Sequence, residues 1–181
     1  MAKVINTSVG GGIVVKNIQK LQGIIAPTVA TTINITIPTA VDLTIAVVRI
    51  SHILDLGSGN VSDQFLSAKL SSPTNVQLDR IGIASATWDY DIEVIEFEGI
   101  KGIQTGSFPL LLSGLDNETI PSINRDKSML FYSFRTDGTG TTSSIARGEA
   151  LAKITSDTNI QFTQLVTSYN TTFEWFILEL E

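Results

Sequence analysis

The stretch Ala68-Lys-Leu-Ser-Ser-Pro-Thr-Asn-Val-Gln77 decides the fold, because the chain contains it twice. At Ala152–Gln161 it reads Ala-Lys-Ile-Thr-Ser-Asp-Thr-Asn-Ile-Gln. Six of the ten positions are identical, including Lys69/Lys153, Thr74/Thr158 and Asn75/Asn159, and Leu70/Ile154, Ser71/Thr155 and Val76/Ile160 keep their character. A repeat of this kind sets the unit that folds, so it precedes any element-by-element reading.

Working outward, Glu93-Val-Ile-Glu-Phe-Glu98 lines up with Phe176-Ile-Leu-Glu-Leu-Glu181, and Thr36-Ile-Pro38 with Thr119-Ile-Pro121. Further upstream, Ile18, Gln22 and Pro27 lie over Ile100, Gln104 and Pro109. The chain reads as an internal duplication: an arm of residues 1–17, copy one over 18–98 and copy two over 99–181. Each copy is long enough for a small sandwich with its own core.

Of the 181 residues 43% are apolar and only 17% charged, below the usual quarter. Ile, Val, Thr, Ser and Asn dominate, which is strand and turn chemistry. No apolar run reaches the ~18–20 residues of a membrane span, and none at the start resembles a signal peptide. Without cysteine, disulfides and thiolate metal sites are excluded. Net charge is −6, split as +2 on the arm, −5 on copy one and −3 on copy two. With no basic stripe, no nucleic-acid partner is expected.

The expected fold is all-β: two tandem antiparallel sandwiches of jelly-roll-like type. Copy one offers six strands, Ile18–Ile25, Thr31–Ile37, Thr44–Ser51, Phe65–Ser71, Asn75–Ile83 and Thr87–Phe97, with room for one helical turn in Ser62–Lys69. Ile33, Ile35 and Ile37 alternate strictly and share a face. Copy two departs at Glu118, which replaces Ile35 and implies a shorter or solvent-facing strand. Leu110-Leu-Leu112 is a candidate for the apolar area so lost. Met129–Phe134 aligns with Ile45–Ile50 and reads as a buried strand.

The last strand of each copy carries a second signal. In copy one, Tyr90, Ile92 and Val94 share one face, while the other is acidic until Ile95 and Phe97. In copy two both faces are apolar, Phe173, Trp175 and Ile177 against Phe176, Leu178 and Leu180. A half-buried strand alternates, so this one must be covered twice, by its own core and by the sister copy or another chain. Ile95, Phe97, Leu178 and Leu180 are therefore candidate interface residues, and a homotrimer or dimer is expected. In the arm, Val4, Ile5 and Val9 precede Gly10-Gly-Gly12, a swivel that suits either a frayed first strand or a tether laid on a neighbour.

These strand patterns resemble a β-sandwich repeat of tailed-phage virion surface and fibre proteins. That repeat opens on a V-K-x-I-Q-like strand, here Val15-Lys-Asn-Ile-Gln19, and has a middle like Ala68–Gln77. It closes on W-x-V-I-E-F, here Ile92-Glu-Val-Ile-Glu-Phe97 and Trp175-Phe-Ile-Leu-Glu-Leu180. The tryptophan is present only in copy two. A fainter similarity is to H-type lectin domains, six-stranded sandwiches that form trimers and bind sugars. The first resemblance implies a non-enzymatic capsid-decoration or fibre protein located in the virion, partnered by capsid or tail proteins. The second implies a module recognising cell-surface glycan.

No catalytic, cofactor or metal set is read from the sequence. The one histidine, His52, supports neither a triad nor a multi-histidine site. The acidic set Asp89, Asp91, Glu93, Glu96 and Glu98 is a solvated face, a cation site or a carboxylate pair, with the solvated face favoured because strand spacing alone produces it. Two Gly/Ser/Thr-rich loops follow the third strands, with Gly57, Ser58, Gly59 and Asn60 in one and Asp137, Gly138, Thr139 and Gly140 in the other. They are candidate binding loops or plain exposed turns. Trp88, flanked by Thr87 and Asp89, is the best candidate for an exposed ring.

Overall fold

The computed structural model describes residues 12–26, 30–55, 65–80, 87–111, 114–136, 150–165 and 170–181. The arm residues Val4, Ile5 and Val9 lie outside them, as do all eight loop candidates, Gly57, Ser58, Gly59, Asn60, Asp137, Gly138, Thr139 and Gly140.

The described residues are all-β. In the first half the strands are β1 (Val14–Ile25), β2 (Thr32–Thr36), β3 (Ala46–Asp55), β4 (Ser67–Ser72), β5 (Asn75–Asp79) and β6 (Thr87–Glu98). In the second they are β7 (Ile100–Leu110), β8 (Leu115–Thr119), β9 (Ser128–Thr136), β10 (Ala150–Ser156), β11 (Asn159–Gln164) and β12 (Thr171–Leu180), with one 3-10 turn at Arg125–Lys127. Four three-stranded sheets result, ordered β1-β6-β3 and β2-β5-β4, then β7-β12-β9 and β8-β11-β10. The second half thus repeats the strand order of the first. β1 takes in Val14 and Val15, which pair with Glu98 and Phe97, so this part of the presumed arm is sheet.

The repeated decapeptide is the β4–β5 hairpin and its counterpart β10–β11, and the retained residues build the turn. Asn75 Nδ2 donates to Ser71 Oγ (2.6 Å) and to Asn34 Oδ1 on β2 (2.8 Å). Asn159 Nδ2 donates in the same way to Thr155 Oγ1 (2.6 Å) and Asn117 Oδ1 (3.0 Å). The Thr74 and Thr158 carbonyls accept from Ile37 and Ile120 N–H. Both hairpins carry the same irregularity, between Leu70 and Ser72 and between Ile154 and Ser156. Pro73 fits the turn because no N–H is needed there; its carbonyl and that of Asp157 accept from Val41 and Ile123 N–H.

Register corrects two of the sequence alignments. Ile18 faces Ile95, and Ile103 faces Leu178, so the partner of Val15-Lys-Asn-Ile-Gln19 is Ile100-Lys-Gly-Ile-Gln104 and the pairing of Ile18 with Ile100 is out of step. Likewise Val48 faces Val94 and Leu130 faces Ile177, which sets Met129–Phe134 over Val47–His52. β9 is half-buried rather than buried, because it is an edge strand of its sheet.

Among the described residues two cores form, and they are not one per half. The second half has its own, built on Leu110, Ile120, Ile160, Phe162, Phe173, Trp175 and Ile177. The first core holds Val76, Leu78, Trp88, Ile92 and Val94 of the first half together with Ile100, Phe176 and Leu178 of the second. The outer face of β12 thus completes the first half's core, and sheet β7-β12-β9 lies across strands β3 and β4. Leu110 is buried as expected, whereas Leu111 is 64% exposed. Gly99 turns the chain from β6 into β7 at φ +73, where a side chain would be strained and would meet the Gly12 carbonyl oxygen.

Candidate functional site

The strand apolar on both faces finds its second cover inside the chain. Leu178 is fully buried and Phe97 nearly so, while Ile95 and Leu180 pack half-buried on the same core. Of the two covers the pattern allowed, the sister copy or another chain, the sister copy supplies the one seen here: Phe176 and Leu178 join the first half's core, and Phe97, Ile95 and Leu180 pack in that same cluster.

That seam also holds a buried charged cluster, which sequence reasoning missed. Glu174, its side chain 3% exposed, lies 3.2 Å from Arg135 Nη1 and 3.6 Å from Lys69 Nζ. Asp79, 9% exposed, lies 3.4 Å from Lys69 and 3.7 Å from Arg135. Arg135 Nη1 also donates to Ser67 Oγ (2.7 Å), and Ser107 Oγ donates to Glu174 Oε1 (3.1 Å). Burial by itself would raise the Asp79 pKa. Hydrogen bonds from Gln77 and Thr32, then the charges of Arg135 and Lys69, outweigh it and hold the carboxyl below its ordinary value.

Beside the cluster, the Ser133 hydroxyl brackets the free edge of β4. It accepts from Ala68 N–H (2.9 Å) and donates to Ala68 C=O (3.4 Å). An edge strand needs such cover, since its unpaired groups otherwise invite another strand.

The acidic set divides by role. Glu96 and Glu179 occupy equivalent places and are both buried. Each accepts the backbone N–H at the entry to the next strand, Asp42 N–H at 2.9 Å and Asn124 N–H at 2.9 Å. Hydrogen bonds from Lys101 and Asn124 keep the Glu179 pKa below its ordinary value. Glu93 lies between Lys20 (2.9 Å) and Arg49 (3.2 Å), and Asp91 accepts from Gln22 Nε2 (3.0 Å). Asp89 and Glu98 are exposed. Among the described residues no group of three or more His, Cys, Asp or Glu is placed to hold a metal ion.

Two further expectations need correction. β8 is as long as β2, and Glu118 turns inward, half-buried, where Ile35 sits in the first half. Its Oε2 accepts the Trp175 indole N–H at 2.7 Å, which makes the inward carboxylate tolerable. Trp175 in turn stands where the first half has Ile92, so an apolar Ile35/Ile92 pair is exchanged for a hydrogen-bonded Glu118/Trp175 pair. Burial raises the Glu118 pKa, and the indole hydrogen bond offsets part of the rise. Trp88 is fully buried, its ring 5.2 Å from that of His52. It is in phase with Ile92 and Val94, and its polar neighbours point to the opposite face.

Comparison with known proteins found no matching family model, no similar curated protein and no similar solved structure.

Proposed function

We propose that this chain is a non-enzymatic structural protein of a tailed-phage virion, a capsid-decoration or fibre component that works through protein–protein interfaces. The observation carrying this reading is where the resembling patterns fall. The opening strand Val15-Lys-Asn-Ile-Gln19 is the hydrogen-bonded neighbour of the closing strand Ile92–Phe97. Ile100-Lys-Gly-Ile-Gln104 neighbours Trp175–Leu180 in the same way. Common strand order, turn hydrogen bonds and cross-strand register support an origin by internal duplication of a jelly-roll-like unit. Ion pairs across the seam join the two sandwiches, which suits a structural role.

The glycan-recognition reading has less to stand on, because the ring it relied on, Trp88, is buried. In the proposed role the arm, with Val4, Ile5 and Val9, tethers the protein to its neighbour by strand addition. The test is co-sedimentation of the purified chain with separated capsids and tails. Saturable binding to one of them supports the reading, and binding to neither overturns it. A variant lacking residues 1–12 that melts normally but binds less would assign the tether.

A further inference from the structure

The two halves meet through unlike surfaces. The first contributes its β3/β4 side, and the second contributes the outer face of β7-β12-β9. An interface between unlike surfaces leaves one of each unused. What remains is the β9/β10 side of the second half and, in the first, the part of the outer face of β1-β6-β3 around Ser51, Asp91 and Glu93, beyond the end where Val47, Ile95 and Phe97 pack into the first core.

The unused β9/β10 side has the character of a docking surface. A groove there, walled on one side by Phe65 of the first half stacked on Phe134, is lined further by Ala150, Leu151, Thr163 and Leu165. Leu151 and Leu165 are 52% and 69% exposed. Leu151 and Thr163 stand where the first half has Ser67 and Asp79, both buried in the seam. Among the described residues no strand pairs with the outer edge of β10.

Transposing the internal seam onto the two unused surfaces gives matched partners. The bracket of Ala68 by Ser133 becomes Ala152 with Ser51, the same residue types. The ion pair of Lys69 with Glu174 becomes Lys153 with Asp91, the same charges. Leu43 and Phe176, which line one cleft, become Arg125 and Glu93, of opposite charge. In these three pairs a change on one side goes with a change on the other, or neither changes.

We propose that the chain self-associates head to tail, the β9/β10 side of one molecule docking on the outer β1-β6-β3 face of the next. This goes beyond the virion reading and does not depend on it. A chain that binds capsids yet stays monomeric refutes only the present inference, and one that self-associates without binding virion parts refutes only the other.

The experiment is light scattering on the full chain from micromolar to millimolar concentration, with two exposed positions altered. Leu151→Asp blocks the groove and Ser51→Arg blocks the face. The wild type is expected to exceed its monomer mass of 19.5 kDa as concentration rises. Each variant alone stays monomeric, and an equimolar mixture forms a dimer of one of each, capped at both ends. If Leu151→Asp fails to fold, Lys153→Glu serves instead, raising the dissociation constant about tenfold, with partial rescue by Asp91→Lys in the other partner. A wild type that stays monomeric throughout overturns the inference. So does assembly that both blocked variants retain, since it would use another surface.

Discussion

Removing Glu174 should cost less than burial alone suggests, and the reason lies in its neighbour. Truncating one partner of a buried ion pair usually costs about 3–5 kcal/mol, because the other charge is left unpaired. In the seam, Asp79 still lies 3.4 Å from Lys69 and 3.7 Å from Arg135 when Glu174 is gone. Glu174→Ala is therefore expected to cost about 2–3 kcal/mol, and Asp79→Ala a similar amount. The double variant leaves Arg135, 19% exposed, without a carboxylate. Its loss should exceed the sum of the single losses by about 1 kcal/mol or more. Urea titrations of the four proteins measure this as shifts in midpoint at constant slope. Single losses within about 0.5 kcal/mol of zero would show that the cluster behaves as a surface pair. Additivity within about 0.5 kcal/mol would show that the carboxylates do not substitute for each other. The sign with pH follows from the depressed Asp79 pKa. Its contribution is full above the unfolded-chain value of about 3.9 and is lost as pH falls through the lower folded value. The wild type should lose this increment in acid, and Asp79→Asn should not.

Glu118→Gln keeps an acceptor for the Trp175 indole and removes a charge whose folded pKa is raised. It should gain stability relative to wild type at about pH 7, and the difference should vanish below about pH 4; an equal shift at both would refute the desolvation account. Gly106→Ala would place a Cβ 2.4 Å from the Trp175 ring, and a loss of about 1–3 kcal/mol is expected by chemical denaturation; an unchanged midpoint would mean that the ring is free to shift. A fragment of residues 99–181 keeps a complete core and should melt cooperatively. Residues 1–98 alone lose Phe176 and Leu178 from theirs and should not, which differential scanning calorimetry would show.

The repeated hairpin was legible because its hydrogen bonds are local: Asn75 reaches Ser71, and Thr74 N–H reaches Ser72, within a few residues. The alternation of β2 and β6 was legible for the same kind of reason, since strand geometry ties neighbouring positions to opposite faces. Trp88 could have been placed by phase alone, and its polar neighbours misled only because they were read as surroundings. The second opening motif, Ile100-Lys-Gly-Ile-Gln104, is also present in the sequence. It was hidden by a shift in spacing that only the cross-strand partner corrects.

By itself the sequence determined where strands form and that the Ala68–Gln77 stretch recurs at Ala152–Gln161, because both are set by short-range pattern. It also determined that the last strand is covered twice. Only the tertiary structure decided by what. Lys69, Asp79, Arg135 and Glu174 are scattered across the chain, and nothing in their local context pairs them. Their meeting, like that of Glu118 with Trp175, depends on how one sheet lies on another. That geometry is fixed by packing across the two halves, where a carboxylate enters the interior only if a distant donor arrives to receive it.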